Sequence, residues 1–483
     1  MKRLHLLFVV SLVLILVNDY KAQGISSILN SSGSKNFPTC GSYDLVETIN
    51  KQNEGFLKLN DQLMEQLTQL IKSKKRQKSN AATYTIPIVF HIVHNNSQEN
   101  LPDSVIFNQL KILNEAFRRQ NADTINTRSD FKDIVGDAKI EFKLATTDPN
   151  GAATNGITRT TTNVKYFGGV LPYGQFQRQQ IAQWVNDSLY YNYFRLTRSA
   201  EGGIDAWDTD RYLNVWIGDL RLFEPQINNF EELVFFALAT PPTDHFNWPD
   251  SIVEQVKDFS QGVLMHYVAV GANNSNTFPP PYNIYNFPIK KGKVLVHEVG
   301  HYLGLRHIWG DGDCSVDDFI QDTPNNFVAS AWDCNTFDNN CIDNINNVDL
   351  PNMVENYMDY SSGACQNSFT KGQIDLMRAA LETYRPAAFD STTSIANYNI
   401  AKTIGIDYYP NPSSGHLSIA LNKLQKKVQV NIQNAIGQLV ISKEFNNTDL
   451  IRLNFDLPAG IYFLNLIAET EQSRAVKLIV EAG

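Results

Sequence analysis

The spacing of apolar and polar residues divides the chain into regions of different type. An almost entirely apolar run, Leu4–Val17, follows the basic pair Lys2-Arg3 and precedes the small-residue site Ala22-Gln23-Gly24. This order predicts a secretory signal peptide over residues 1–24. A membrane anchor is the alternative, but it would need about 20 apolar residues. Because no later run is long enough to span a bilayer, we expect no transmembrane segment after signal cleavage.

Residues 25–82 are predicted to form a propeptide. Residues 47–78 carry apolar side chains at helical spacing and end in a basic stretch that is open to proteases. A surface helix with an ordinary linker is the alternative. The apolar positions are Phe56, Leu59, Leu63, Leu67 and Leu70.

Residues 83–386 mix strand and helix patterns, which predicts one α/β domain. Amphipathic or buried helices are expected over Asp103–Arg119 and Val294–Leu303. The β-rich runs are Thr85–His94, Lys139–Ala145, Tyr212–Ile217 and Gly262–Val270.

A polar linker over residues 387–404 leads into a small all-β region, residues 405–483. Turn sequences around Asn411-Pro412, Gly437 and Pro458-Ala459-Gly460 separate short alternating runs. Six or seven strands in about 80 residues predict a β-sandwich. The runs are Leu417–Leu421, Val428–Ile432, Leu439–Ile441, Ile451–Phe455, Ile461–Ala468 and Ala475–Val480.

Composition and charge exclude several classes of protein. The chain has 483 residues, of which 43% are hydrophobic, so it can bury large cores and is not a disordered chain. Its formal net charge is -9, whereas proteins that bind nucleic acid or anionic membranes are usually basic. We therefore expect no nucleic-acid partner.

The strongest chemical motif is HEVGHYLGLRH, residues 297–307. On a helix, His297 and His301 lie one turn apart on one face, so both imidazoles can bind one ion. A glycine after the helix can adopt a positive φ, and the resulting turn brings His307 round as a third ligand. Three imidazoles with an open fourth position are typical of a catalytic zinc, and Glu298 lies beside them.

A second motif, residues 355–360, carries Met358 and Tyr360. A long histidine motif followed by such a methionine is the metzincin pattern. Together with the acidic stretch from Asp311 to Asp322, these segments resemble the pappalysin family of metzincin metallopeptidases, especially its bacterial secreted branch. The likeness covers residues 84–386.

The resemblance implies a fold, roles for two residues and a disulfide pattern. The fold would be a twisted five-stranded sheet with helices, closed below by an irregular lobe. Met358 would form a hydrophobic floor under the imidazoles, and Tyr360 would donate its phenol to the developing oxyanion. Sequence alone leaves three pairings open for the four cysteines of residues 314–365. The resemblance favours Cys314–Cys341 and Cys334–Cys365.

Residues 405–483 resemble the type IX secretion sorting domain of Bacteroidota. The matching segments are Tyr409–Pro412, Gly437-Gln438, Pro458–Tyr462 and Lys477–Val480. The resemblance implies that the type IX machinery exports the chain and that this region is then removed. A generic β-sandwich that binds something else is the alternative.

The fifth cysteine, Cys40, lies in the predicted propeptide. A thiolate is a good fourth zinc ligand, so Cys40 would displace the catalytic water and keep the precursor latent. A free or incidentally paired thiol is the alternative, and Asp44 is the next candidate for a cap.

Acidic residues crowd the stretch after the histidine motif. Calcium takes six to eight oxygen ligands, and pappalysin relatives carry structural calcium nearby. Asp317, Asp318 and Asp322 are therefore candidate calcium ligands. Solvated loop acids explain the same crowding, so the two interpretations stay open.

These features predict a secreted zinc metalloendopeptidase that cleaves protein or peptide substrates. Glu298 would take the proton of the attacking water and deliver it to the leaving amine. Gly262–Val270 is the expected edge strand that pairs with extended substrate. One alternative is a surface-displayed binding protein with a zinc-stabilised inactive protease fold, and another is a zinc hydrolase for non-peptide substrates.

Cleavage specificity is expected to depart from that of arginine-specific pappalysins, which carry an aspartate at the pocket position held here by Gly363. Without that carboxylate, a guanidinium would lose its charge-assisted partner. Glycine should also leave the pocket deeper. We expect large apolar or uncharged side chains just after the cut, unless an acid from the Asp333 or Asp338 loop reaches the same space.

Overall fold

The computed structural model describes residues 39–52, 55–74, 82–170, 190–224, 230–232, 235–242, 260–280, 282–330, 332–345, 347–391, 402–403, 406–434, 438–468, 471–472 and 476–481. The chain divides into two compact units, Met1–Thr393 and Ser394–Gly483. The predicted signal peptide and most of the predicted linker lie outside the described residues, so they and the finer domain boundaries stay predictions. Within these ranges, no helix is both long enough and apolar enough to cross a membrane.

The first unit contains helices and a mixed sheet. Its helices are α1 (Ser42–Gln52), α2 (Phe56–Lys74), α3 (Asp103–Phe117), α4 (Tyr190–Phe194), α5 (Asn286–Ile289), α6 (Val294–Tyr302) and α7 (Lys371–Tyr384). Its strands are β1 (Thr39–Cys40), β2 (Tyr84–His94), β3 (Ile140–Leu144), β4 (Ile157–Thr161), β5 (Gly169–Val170), β6 (Leu213–Gly218), β7 (Leu222–Glu224), β8 (Phe230–Glu232), β9 (Phe235–Ala239), β10 (Val263–His266) and β11 (Asp390–Ser391).

The main sheet has five principal strand positions. β2 lies between β6 on one side and β3 and β4 on the other, and all these pairs are parallel. β10 continues the sheet parallel to β6, and β9 pairs antiparallel to β10. The short strands β1 and β11 pair with β9 and β2. The α/β fold class predicted for this region is therefore confirmed.

The sheet has an apolar core on each face, and helix α6 packs on one of these faces. Ile86, Ile88, Phe90 and Ile92 of β2 point into the large core, while Val93 belongs to a second apolar cluster. On the large-core side, α6 lies against β9, β10 and α3. The first part of the histidine motif is thereby fixed beside the antiparallel margin of the sheet.

The prediction that Gly262–Val270 forms an edge strand is wrong. β10 covers only Val263–His266 and has partners on both sides, and Tyr267–Ala269 is a 3-10 turn. Apart from the two-residue strand β1 of the N-terminal segment, the outer strand is β9, whose five residues are all buried. Both strands are short apolar runs, so their composition does not reveal which of them lies inside the sheet.

The predicted propeptide helix is two helices rather than one. Gly55 has φ +100°, a conformation that favours glycine, and it separates α1 from α2. Phe56, Leu63 and Leu67 are buried, as their helical spacing predicts. α2 packs against α7.

The second unit is all-β and has seven described strands, but the predicted runs do not each form a strand of their own. Leu417–Leu421 and Val428–Ile432 are parts of one strand, whose register against its partner shifts between Ala420 and Gln425. The buried side chains of both parts join one apolar cluster. The strands are β12 (Lys402–Thr403), β13 (Ile406–Tyr409), β14 (His416–Asn434), β15 (Leu439–Asn454), β16 (Gly460–Ala468), β17 (Glu471–Gln472) and β18 (Val476–Val480).

Candidate active site

Three imidazoles converge at the end of α6. His297 and His301 lie on one face of the helix, with 3.1 Å between their Nε2 atoms. His307 follows the helix, and its Nε2 lies 3.2 Å from that of His297 and 3.1 Å from that of His301. All three side chains are buried.

The turn after α6 depends on Gly304, which has φ +94°. The turn lets the Leu305 amide donate to the Gly300 carbonyl oxygen at 2.9 Å. The Leu305 carbonyl oxygen in turn accepts from His301 Nδ1 at 2.8 Å. Gly304 therefore ends the helix and helps to orient a ligand, as the sequence predicts.

The hydrogen bonds made by the Nδ1 atoms of the three histidines explain why this cluster fits a metal ion. His297 Nδ1 donates to the Tyr357 carbonyl oxygen at 2.7 Å, and His307 Nδ1 bonds Asp311 Oδ1 at 2.5 Å. With Nδ1 protonated on each ring, the three Nε2 lone pairs face one another and need a cation between them. Burial lowers the pKa of His297 to about 3, so its ring is neutral, which is the ligand form. Three neutral imidazoles suit zinc.

Met358 lies beneath this cluster and is completely buried. A Cβ added to Gly300 of α6 would lie 2.4 Å from Met358 Sδ, so the methionine packs directly on the helix. The Met358 carbonyl oxygen accepts from the Ile308 amide at 3.4 Å. The methionine turn thus supports both the helix and the loop that carries the third histidine.

Tyr360 stands beside the imidazoles. Its ring centroid lies 4.8 Å from that of His307 and 5.7 Å from that of His297. Its phenol donates to the carbonyl oxygen of Cys40 at 3.3 Å. The tyrosine therefore already directs a hydrogen bond to a peptide carbonyl at this site.

The predicted zinc cap, Cys40, is buried among the histidines. Its Sγ and the three imidazole nitrogens all lie within 4.8 Å of one another. The thiol donates to Glu298 Oε2 at 3.3 Å, and the Ser42 amide donates to Cys40 Sγ at 3.3 Å. Burial raises the pKa of the thiol well above its ordinary value, and nearby Glu298 adds to this shift. A bound divalent cation would favour the thiolate.

Glu298 is also held by Ser42, whose hydroxyl donates to Glu298 Oε2 at 3.0 Å. Burial raises the pKa of the Glu298 carboxyl to about 8, and hydrogen bonds from Cys40 and Ser42 oppose that shift. Glu298 is buried, and on the side of the N-terminal segment its carboxylate contacts Cys40 and Ser42. Sequence analysis missed Ser42, whose role depends on a contact between residues far apart in the chain.

The N-terminal segment runs along the outer strand of the sheet. β1 pairs with β9 in parallel, and the Gly41 amide donates to the Ala237 carbonyl oxygen at 3.0 Å. The Ala239 amide donates to Ser42 Oγ at 2.8 Å. Further along, Asp61 of α2 pairs with Arg306, inside the histidine motif, at 2.6 Å. The predicted propeptide therefore covers the strand beside the site.

A pocket opens next to Glu298 and includes Gly363. A Cβ added at Gly363 would lie 2.6 Å from the Pro288 carbonyl oxygen. The expectation of a deeper pocket is wrong at this point, because the main chain fills the space of the missing side chain. Neither Asp333 nor Asp338 belongs to the lining, which comprises Cys40, Phe236, Pro288, Lys293, Val294, His297, Glu298, Trp332, Asp359, Tyr360, Gly363 and Gln366.

Two charged residues lie at the polar side of this pocket. Lys293 Nζ donates to Asp123 and to the Gln366 carbonyl oxygen. Asp359 is buried, and its Oδ1 accepts from the Ser330 amide at 3.1 Å. Burial raises the pKa of Asp359 above its ordinary value.

The four remaining cysteines form two disulfides, Cys314–Cys341 and Cys334–Cys365, the pairing that the resemblance implies. They tie together residues that contain little helix or strand, where a disulfide can replace packing.

The candidate calcium ligands serve local hydrogen bonds instead. Asp318 accepts from the Thr323 hydroxyl at 2.9 Å, and Asp322 Oδ2 accepts from the Gly372 amide at 2.8 Å. Asp317 accepts from the Phe319 amide at 2.6 Å. Among the described residues, they do not form a metal-binding group like that of the histidines. Calcium therefore has no support here.

Known proteins match the two units separately. The family model described as pregnancy-associated plasma protein-A matches residues 257–382, and that of the secretion system C-terminal sorting domain matches residues 407–481.

An extracellular metalloprotease of Arthroderma otae is 36% identical over 96 residues, which are 20% of this chain and 33% of that protein. One from Arthroderma gypseum is 39% identical over 108 residues, which are 22% and 34%. The chain thus spans about a third of the length of these relatives.

Solved structures give broader coverage. Mature mirolysin of Tannerella forsythia, in complex with a cleaved peptide, is 37% identical; the match covers 64% of this chain and 97% of that one, with a TM-score of 0.47. A promirolysin variant from the same organism is 35% identical over 72% of this chain and 97% of that one, with a TM-score of 0.53.

Proposed function

Because the chain belongs to the pappalysin family of metzincin metallopeptidases, we propose that it is a secreted zinc-dependent metalloendopeptidase made as a latent precursor. Its substrates would be extracellular proteins or peptides. The observation that carries this proposal is the convergence of three buried imidazoles beside a buried carboxylate. An inactive binding protein would have no need for an intact Glu298 and Tyr360 around such a site.

The chemistry divides among a few groups. A zinc ion held by the three Nε2 atoms would supply Lewis acidity at the open position. Glu298 would act as general base, accepting the proton of the attacking water on its carboxylate and passing it to the leaving amine. Tyr360 would donate its phenol to the substrate oxygen that gains negative charge. Its hydrogen bond to the Cys40 carbonyl oxygen supports this role.

Latency would come from the N-terminal segment, residues 25–82. Cys40 Sγ lies close enough to the imidazoles to serve as a fourth ligand. Ser42 holds the carboxylate of Glu298, and β1 covers the outer strand β9, where an extended substrate would add. Removal of this segment would therefore free the open metal position, the general base and the substrate strand together. The predicted alternative cap, Asp44, lies in α1, and its side chain is outside the described residues.

Specificity would follow from the pocket beside Glu298. Phe236, Val294 and Trp332 give it apolar walls, against which a guanidinium would be desolvated without a partner, and Lys293 is already paired with Asp123. Gly363 offers no carboxylate. We therefore propose that large apolar or uncharged side chains are preferred just after the cut. Asp359 is the acid that could oppose this preference.

Export would use the second unit. Its match to the C-terminal sorting family supports a route through the type IX machinery to the cell surface or the medium. The predicted signal peptide would act first, by directing the chain out of the cytoplasm.

A protease assay tests the proposal. The full chain would be expressed, activated by limited proteolysis of the N-terminal segment, and assayed on labelled casein with and without a zinc chelator. We expect turnover that the chelator abolishes and added zinc restores. A chain that binds zinc but cleaves neither casein nor a proteome-derived peptide library would favour the binding-protein or non-peptide alternatives.

A further inference from the structure

We infer that Asp311 is a positioning residue for His307 and that it strengthens the hold of the site on its metal ion. The inference rests on the proposed zinc site and extends it to a residue outside the three ligands. Sequence analysis grouped Asp311 with the loop acids, where it had no separate role.

The contact between Asp311 and His307 differs from the contacts of the other two ligands. Asp311 Oδ1 lies 2.5 Å from His307 Nδ1, and the carboxylate side chain is only 8% exposed. The Nδ1 atoms of His297 and His301 donate to main-chain carbonyl oxygens instead. A carboxylate carries a full negative charge, so it makes the imidazole a more basic ligand than a carbonyl does.

His307 needs such support because it lies on a loop, whereas the other two ligands are held by α6. Its ring stacks on Trp309, with 4.2 Å between centroids and an interplanar angle of 6°. Stacking fixes the plane of the ring but leaves it free to flip by 180° about the Cβ–Cγ bond, which exchanges its nitrogen and carbon positions. The hydrogen bond at Nδ1 removes this freedom and directs Nε2 towards the other two imidazoles.

The left-handed backbone at position 311 indicates that aspartate is present there for its side chain. Gly310 has φ +60° and Asp311 has φ +61°, so two successive residues are left-handed. Glycine adopts this conformation without cost, whereas a residue with a Cβ adopts it at some cost in free energy. The position carries aspartate although glycine would suit the turn better, and the carboxylate that results reaches His307.

The test compares zinc affinity in the full-length chain, measured by competition with a chromophoric chelator. The variants are Asp311→Gly, Asp311→Asn and, as a matched control, Asp313→Asn. Asp313 is an exposed acid of the same loop, and its carboxylate accepts from the amide and hydroxyl of Ser315 rather than from a histidine. We expect Asp311→Gly to bind zinc roughly 10- to 100-fold more weakly, Asp311→Asn to show a smaller loss, and Asp313→Asn to match the parent.

The order of the two Asp311 variants separates positioning from a backbone role. A residue that mattered only for the turn would be replaced by glycine with no loss of affinity, because glycine fits φ +61° best. Equal zinc affinity in the parent and Asp311→Gly would therefore overturn the inference. If Asp311→Gly does not fold, Asp311→Asn decides, because asparagine tolerates left-handed backbone.

A spectroscopic readout completes the test. In the Co²⁺-loaded chains, the ligand-field absorption should shift in Asp311→Asn and stay unchanged in Asp313→Asn. An Asp311→Asn chain with the parent's spectrum and zinc affinity would also overturn the inference. A parent chain that binds no zinc would instead contradict the proposed function, so the two failures are distinguishable.

Discussion

Ser42 donates its hydroxyl to the carboxylate of Glu298, with 3.0 Å between Ser42 Oγ and Glu298 Oε2, although 255 residues separate them in the chain. The same hydroxyl accepts the amide of Ala239 at the end of β9. One side chain of the N-terminal segment is therefore hydrogen-bonded both to the proposed general base and to a main-chain amide of β9. The segment would thus block proton transfer by Glu298 and substrate binding along β9, in addition to any thiol cap on the metal.

Replacing Ser42 with alanine should weaken latency while Cys40 stays in place. A hydrogen bond of this kind contributes about 0.5–1.5 kcal/mol, so residual precursor activity should rise roughly two- to tenfold. The measurement is peptidase activity of the intact zinc-loaded precursor, with Ser42→Thr as the control that keeps a hydroxyl. If Ser42→Ala and Ser42→Thr are equally silent, the hydroxyl plays no part in inhibition.

Replacing Cys40 with alanine should give a precursor that is active before processing, or that cleaves itself during expression. Among the described residues of the N-terminal segment, the thiol is the metal-binding group that lies close to the three imidazoles. Activity and intactness of the purified precursor, followed by mass spectrometry, are the readouts. A Cys40→Ala precursor as intact and inactive as the parent would reject the thiol cap.

Replacing Glu298 with glutamine should abolish peptidase activity and leave zinc bound. The three imidazoles remain, while both proton transfers assigned to the carboxylate are lost, so turnover should fall at least about 100-fold. Zinc content and activity should be measured on the same activated sample. Turnover within a few-fold of the parent, at equal zinc content, would contradict the mechanism.

Replacing Gly300 with alanine should destabilise the chain, because the new Cβ would lie 2.4 Å from Met358 Sδ. Overpacking a filled core costs about 1–3 kcal/mol. Thermal unfolding would measure the loss, and Met358→Ala in the same chain should relieve the clash. If the losses in unfolding free energy of the two single variants simply add in the double variant, the two residues do not interact and the predicted clash is contradicted.

Cleavage of a proteome-derived peptide library by the activated enzyme should reveal large apolar or uncharged residues just after the cut. The apolar walls disfavour a guanidinium there, and Gly363 supplies no partner. A profile dominated by arginine or lysine would contradict this prediction. Asp359→Asn would then show whether Asp359 is the carboxylate responsible.

The sequence by itself determined the features that depend on local spacing. Residues four apart on a helix share a face, so His297 and His301 had to meet, and Gly304 marked the end of the helix before His307. Apolar periodicity likewise located the helices α3 and α6 to within about two residues at each end. The histidine motif followed by the methionine motif was distinctive enough to identify the family.

Tertiary structure decided everything that depends on which buried surfaces meet. Periodicity says that a residue is buried but not what covers it, so β9 and β10 could not be ranked as outer and inner strands. The contacts of Ser42 with Glu298 and of Gly363 with Pro288 join segments that are distant in sequence. Asp311 lies only four residues from His307, yet its role depends on two successive left-handed residues, a backbone choice that spacing alone does not express.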